Sequence, residues 1–439
     1  MGSRNLKKEI SLTGALSTVM GTVIGAGVFF KTAAVVSQTQ AAGSALFAWL
    51  LAGLLTMCAG LTVAELATAI PETGGPVQYI EVIYGKLPAF LLGWAQSVIY
   101  YPANIAALSI IFSTQLIHLF QLNEILLLPI AIFSASSVTL LNLLGTKIAS
   151  TFQSLSLVIK LLPITAIVLF GLFQPGKVPV SLVDLSIQGD KSWAVGFSGA
   201  LLATLFAYDG WLSVANIAGE MKYPQRDLPK AIIFGISFVT IIYWVINFVF
   251  LRVLPIESLA GNLNSSSDVA QILFGPSGGK IVTIGILISV YGAINGYTMT
   301  GIRVPYAMAV KGDFPFSSHL KKLSRKTTIP YVAALTQLIL ACVMMLFGSF
   351  DLLTDMLIFV MWVFNLLLFI GVFVFRKKEP EKTRPYRVPL YPWIPLLAIL
   401  GGFFILVMTT ITMTKLVIIG LGITALGIPV YYYIQRKHH

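Results

Sequence analysis

Twelve stretches of this chain are apolar over about 20 residues each, the length at which an α-helix, rising about 1.5 Å per residue, crosses the hydrocarbon core of a bilayer. They fall at approximately 12–36, 44–66, 87–117, 125–144, 150–173, 193–218, 229–251, 279–309, 330–347, 353–375, 391–412 and 416–434. The segments between them are short and leave no room for a folded domain outside the membrane, so residues 1–439 read as a single transmembrane unit. Only 10% of the residues are charged, and mean hydropathy is +0.87. Soluble domains carry about 25% charged residues, so the lipid bilayer is this chain's solvent. The expected fold class is an all-α polytopic membrane protein with about twelve transmembrane helices.

A net charge of +12 raises the question of nucleic acid, and the distribution of the charge answers it. With the N-terminus inside, basic residues gather on that side, at Arg4, Lys7, Lys8, Lys86, Lys147 and Lys222, and in runs such as Lys321-Lys322, Arg325-Lys326 and Arg376-Lys377-Lys378. The opposite side holds only Lys177, Lys191, Arg252, Lys280 and Lys415. This is the positive-inside asymmetry of a cell-membrane protein with both termini cytoplasmic. The basic runs are short loops without interleaved aromatics, so no nucleic-acid partner is expected. Cys58 and Cys342 both lie within spans and read as small core residues rather than as a disulfide framework. Met1-Gly2-Ser3 and His438-His439 read as added ends, and the first span has the length of a permanent helix rather than of a cleaved signal.

The first span contains Gly21-Thr22-Val23-Ile24-Gly25-Ala26-Gly27-Val28-Phe29, with three glycines where a continuous helix would want none. Each glycine costs about 1 kcal/mol of helix stability against alanine, and in lipid every freed backbone group needs another partner. A break here has a counterpart in the sixth span, Thr204-Leu205-Phe206-Ala207-Tyr208-Asp209-Gly210-Trp211, which places an acid and a glycine in mid-membrane. Five crossings separate the two spans, so the second half of the chain enters upside down relative to the first. An inverted 5+5 repeat is expected, with 12–173 as the first unit, 193–375 as the second and 391–434 as two extra C-terminal helices.

A half-helix that starts near Gly25, Ala26 and Gly27 points unpaired N–H groups and its positive dipole end at the cavity, which suits a carboxylate. Half-helices that end near Val23, Ile24, Phe206 and Ala207 offer unpaired carbonyls, which suit an ammonium group. One small zwitterion satisfies both, and an α-amino acid is such a molecule. The competing explanation of the glycines is close helix packing, as in small-xxx-small patterns.

These residues resemble the L-amino acid transporter family of the amino acid-polyamine-organocation superfamily over nearly the whole chain. The resemblance is carried by Gly21 to Phe29, Glu65-Leu66-Ala67, Pro71-Glu72-Thr73-Gly74-Gly75, Phe206 to Trp211, the run Glu220 to Pro229, and Arg303-Val304-Pro305-Tyr306-Ala307-Met308-Ala309. Within the family the chain is similar to bacterial alanine-serine-cysteine exchangers. That resemblance implies a LeuT-like fold, sodium-independent exchange of small neutral L-amino acids, and a substrate clamped between broken helices 1 and 6.

Lys160 lies roughly 12–15 Å into the fifth span at about 1.5 Å per residue, too deep to snorkel to the surface. By the resemblance its ammonium stands where sodium-coupled relatives of the fold bind their ion and bonds the broken first helix. A purely structural tie between spans 5 and 1, and a proton-coupled role, are the other two readings. Asp209 either caps the second half of the sixth span or pairs with the substrate ammonium. Phe206 is an aromatic gate by the resemblance, or else an ordinary core phenylalanine. Thr22 and Tyr208 are possible pocket residues; Asn295, between Gly292 and Gly296, either faces the site or bonds between helices. Glu65 and Arg303 sit near the cytoplasmic ends of spans 2 and 8, either paired across the inward face or solvated at the rim. Lys31 is expected to look toward the outer vestibule.

The chain has no CxxC, HExxH or Walker-type loop, so no metal, cofactor or ATP-driven step is expected. An intramembrane enzyme would need a nucleophile–base pair or clustered acids, and a channel would need a filter rather than paired broken helices. Proton-coupled symport on the same fold is the alternative transport mode. Heavy-subunit partners of mammalian family members are held by a cysteine in the loop after the third span. This chain reads His118 to Glu124 there without one, so no disulfide-linked heavy subunit is expected.

Overall fold

A computed structural model describes residues 11–70, 75–174, 176–189, 191–212 and 221–438. The basic residues Arg4, Lys7 and Lys8, the motif residues Pro71 to Gly74, Glu220, and the distal part of the sixth span at 213–218 lie outside the described residues.

The first apolar span is two helices, α1 (Leu12–Val23) and α2 (Gly27–Thr39), bent by 49° at the glycine motif. Ser11 caps α1 by accepting the Gly14 amide. The second span is α3 (Ala42–Ala69), and a short α4 (Pro76–Tyr84) leads into the third. That span joins α5 (Lys86–Ala95) to α6 (Tyr101–Phe120) through a π-helical turn at Gln96–Tyr100. Pro102 has no N–H to give to the preceding turn, and the helix widens there, with the Tyr101 amide reaching back to Gln96. Spans four and five are α7 (Leu127–Leu143) and α8 (Thr146–Phe173), and the sixth begins as α9 (Trp193–Ala207).

The seventh span is α10 (Pro224–Val253), followed by a single turn, α11 (Ile256–Leu259). The eighth is longer than its apolar stretch. α12 (Ser265–Gly301) starts well before residue 279, kinks at Gly275 (φ 72°), and hands over at Ile302 to α13 (Arg303–Lys311). A short α14 (Ser317–Leu320) precedes the ninth and tenth spans, α15 (Tyr331–Phe347) and α16 (Phe350–Lys378). The last two are α17 (Trp393–Thr412) and the pair α18 (Thr414–Ala425) and α19 (Gly427–His438). Each of the twelve apolar stretches thus meets a helix, and the chain is a multi-pass membrane protein.

Buried groups concentrate in α2, α3, α9 and α16, while α7, α8, α15 and α17 turn large side chains such as Phe133, Leu162, Ile339 and Leu400 outward. In lipid that outward apolar face is the expected surface, and the packed interior is where polar groups must find partners. Two ion clusters correct the sequence reading. Glu65, fully buried at the end of α3, takes a two-pronged bond from Arg376 (2.7 and 2.6 Å), lies 3.8 Å from Arg384, and accepts the Val388 amide at 2.8 Å. It has no bond to Arg303, whose guanidinium instead donates to the Met299 carbonyl of its own helix stretch. Lys31 is not in an outer vestibule. It is fully buried and bonded to two carboxylates of α16.

Candidate functional site

Where α1 stops, Ile24 turns to an extended conformation, and the chain runs through Gly25 and Ala26 before α2 starts at Gly27. Among the described residues no acceptor takes the amides of Ala26 or Gly27. α9 ends close by, and the two breaks touch. A Cβ on Gly27 would stand 2.5 Å from the Ala207 Cα, and one on Gly210 would stand 2.9 Å from the Thr22 carbonyl oxygen. Gly210 also needs its glycine for a φ of +98°, whereas Gly25 has nothing nearer than 3.8 Å. Break and close packing therefore coexist in one motif: Gly27 makes the approach to α9 possible, and Gly25 borders open space.

The carbonyls freed at the breaks already have partners. Lys160, 7% exposed, donates from its ammonium to the Gly21 carbonyl at 2.6 Å and to that of Ile24. Tyr243 of α10 stands between the two breaks, its hydroxyl 2.8 Å from the Val23 carbonyl and 3.1 Å from that of Ala207. A phenol has one proton, so it serves one of these carbonyls at a time and leaves the other open to a donor. The Phe206 carbonyl accepts the Asp209 amide at 3.1 Å.

Around the breaks lies a cavity of about 270 Å³ lined by Gly21 to Gly27, Lys160, Phe206, Ala207, Asp209 and Gly210. Tyr100, Tyr101, Gln153, Ser289, Tyr297, Met299 and Thr300 are among the other residues of the wall. Thr22 and Thr300 are exposed at its mouth, while Phe206 in its wall, and Phe29 and Phe30 further along α2, are buried. The opening therefore faces the side on which α1 begins. Asp209 does not meet a cation there. Its carboxylate accepts the hydroxyls of Tyr100 and, at 3.3 Å, Tyr297.

Two candidate residues lie elsewhere. Tyr208 is fully buried behind the break, donates to the Trp49 carbonyl at 3.0 Å and packs on Trp49 and Tyr243, so it is not part of the wall. Asn295 is spent between helices. It donates to the Ala149 carbonyl at 3.1 Å and to Gln153 at 2.9 Å, and accepts from Asn142 at 2.9 Å. Tyr100, Tyr243, Tyr297 and Gln153 were missed in the sequence, where tyrosines in apolar spans look like ordinary core. Pro102 inside the third span is the one local signal, because it marks the widened turn that carries Tyr100.

The arrangement can hold a small zwitterion, with amides and a fixed ammonium at one break and an aromatic wall beyond it. Comparison with known proteins gives the same class. The chain is 41% identical over 433 residues, 98% of each chain, to the serine/threonine exchanger SteT of Bacillus subtilis (strain 168). It is 28% identical to the b(0,+)-type amino acid transporter 1 of Mus musculus, covering 92% of this chain and 82% of the relative. Identity is also 28% to the cystine/glutamate transporter of Homo sapiens, covering 97% and 85%. The family model described as amino acid permease matches residues 10–433, and the chain belongs to that family, as a transporter of the L-amino acid type close to a bacterial exchanger.

Proposed function

We propose that this protein exchanges small neutral L-amino acids of the alanine, serine and cysteine type across the cell membrane, without sodium, by alternating access around the broken helices. The observation that carries this reading is the Lys160 ammonium bonded to the Gly21 and Ile24 carbonyls. A tethered cation there satisfies the freed backbone and removes the need for a mobile one. The substrate carboxylate sits at the amides of Gly25, Ala26 and Gly27, and its ammonium takes whichever carbonyl of Val23 or Ala207 Tyr243 leaves free, with Phe206 as the gate. Exchange follows because the empty carrier reorients slowly, whereas bound substrate bridges the two breaks and lowers that barrier. The relative named for serine and threonine exchange supports small substrates.

The two halves work as an inverted repeat, with the termini and the basic loops in the cytoplasm and the cavity facing inward. No disulfide-linked heavy subunit is required, since the free cysteines among the described residues are Cys58 and Cys342, both in helices. Proton symport is the second reading, favoured by Asp209, a half-buried carboxylate in the cavity wall held by two tyrosyl hydroxyls and no cation. Radiolabelled alanine or serine uptake into proteoliposomes separates the two. Uptake that needs internal amino acid and ignores sodium and a pH gradient fits exchange. Strong uptake into empty vesicles driven by the gradient alone makes the protein a symporter.

A further inference from the structure

A second cavity, of about 160 Å³, lies between the last turn of α6 and the kink of α12. The kink builds it. Gly275 takes a φ of 72°, Pro276 follows, and a Cβ on Gly279 would stand 2.7 Å from the Gln271 Cα. The two arms of α12 therefore close on each other and bring Gln271 to the same wall as Lys280, while His118, Leu119 and Gln121 come from the end of α6 and the turn after it.

The wall is basic and incompletely paired. Lys280 is exposed, and among the described residues neither its ammonium nor the side-chain amide of Gln271 has a partner. Gln121 donates from its side-chain nitrogen to the His118 carbonyl at 2.7 Å and keeps its side-chain oxygen as an acceptor. No carboxylate is among the described residues of the wall. Asp268, 3.8 Å from the His118 ring, stands outside it and accepts from the side-chain amide of Asn262 at 2.9 Å.

The cavity also has a defined depth in the bilayer. Thr300, at the mouth of the substrate cavity, is 20 residues further along α12 than Lys280. At about 1.5 Å per residue the two stand about 30 Å apart, the thickness of the hydrocarbon core, so Lys280 lies at the opposite membrane surface. From Lys280 inward, α12 presents Ile281 and Ile284, 71% and 46% exposed. A cation at headgroup level above an apolar face matches an amphipathic anion, and basic pockets between transmembrane helices hold lipid headgroups in this way. A choline headgroup would bring its own cation to a wall that offers it no carboxylate.

We propose that this cavity binds the headgroup of an anionic phospholipid in the leaflet away from the substrate mouth. The phosphodiester pairs with the Lys280 ammonium, headgroup hydroxyls bond the side chains of Gln271 and Gln121, and an acyl chain lies over Ile281 and Ile284. The site is separate from the broken helices, so it stands or falls independently of the substrate assignment.

The test uses the full chain in proteoliposomes, with Cys58 and Cys342 replaced by alanine and a bimane fluorophore on Ile284→Cys. Quenching by chain-brominated phosphatidylglycerol is compared with quenching by chain-brominated phosphatidylcholine, and the same pair is read from Leu400→Cys on α17, an exposed control. At Ile284→Cys the anionic lipid is expected to quench at a several-fold lower mole fraction than the choline lipid, with no such preference at Leu400→Cys. Adding Lys280→Gln should erase the preference. A thermal melt reports folding separately, and if Lys280→Gln does not melt as a folded protein, Lys280→Ser carries the same comparison. No preference at Ile284→Cys, an equal one at Leu400→Cys, or one that survives loss of the ammonium overturns the proposal. Water-soluble glycerophosphoglycerol should leave the preference intact at millimolar concentration; abolishing it would make the occupant a soluble phosphodiester and overturn the lipid assignment.

Discussion

Two glycines only two positions apart have opposite steric surroundings. A methyl group on Gly27 meets the Ala207 backbone at 2.5 Å, and neither helix can yield without parting the breaks; overpacking of this kind costs about 1–3 kcal/mol. Gly27→Ala is therefore expected to lower the melting temperature and abolish exchange. Gly25→Ala meets nothing nearer than 3.8 Å and is expected to melt at or slightly above the parent, since alanine restricts the unfolded chain. Thermal melts of the two purified variants check the contrast, and equal destabilisation would refute it. Lys160→Ala makes a different kind of hole. It strips the Gly21 and Ile24 carbonyls of a charged donor, a bond type worth about 1.5–3 kcal/mol, at the point where α1 must change its angle. Exchange in proteoliposomes is expected to collapse while the variant still purifies as a folded protein. Uptake equal to the parent would remove Lys160 from the mechanism.

At the scale of elements, the ends of α16 are its most informative parts. Its first turn binds α2 through Lys31, and its last turn binds α3 through the Arg376–Glu65 pair, with the guanidinium of Arg376 also 3.6 Å from the Tyr391 ring centre. Glu65 is fully buried, so Glu65→Gln leaves a guanidinium facing a neutral amide; breaking a buried pair costs about 3–5 kcal/mol. A large drop in melting temperature is expected from Arg376→Met, which strands a fully buried carboxylate, and a smaller one from Glu65→Gln, because the Arg376 side chain it leaves behind is 24% exposed and can be hydrated. Equal, negligible shifts would show that the pair adds nothing. These pairings mark the limit of what the sequence makes legible. Span positions follow from hydropathy, and the break of the first helix follows from three glycines in nine residues, because both are local. Glu65 and Arg376 are 311 positions apart and Lys31 and Asp351 are 320 apart, and no periodicity encodes such a partner. Neither sequence alternative for Glu65, a pair with Arg303 or solvation at the rim, names Arg376, and the outer vestibule expected for Lys31 is replaced by two carboxylates. Tyr208 was drawn into the pocket for a related reason: it neighbours Phe206 and Asp209 in the chain, but its side chain leaves on the other face of the turn.

For the whole molecule, the side on which the cavity opens and the side on which basic loops gather can be joined in one measurement. The mouth carries Thr22 and Thr300, and α1 begins on that side. Arg376, Lys377 and Lys378 end α16 on the same side, and positive loops of that density stay in the cytoplasm. With the native cysteines replaced, Thr300→Cys is expected to react with a membrane-impermeant maleimide in inside-out vesicles and to be protected in intact cells. Saturating L-serine or L-alanine should slow that reaction in two ways: by filling the cavity, and by letting the carrier cycle to its other face, where Thr300 is covered. The second contribution requires substrate that can cross, so a blocker that fills the cavity without being transported should protect less well at equal occupancy. Reaction from outside intact cells would invert the topology. Protection that tracks occupancy alone would leave the cavity as a binding site but deny it the motion that exchange requires.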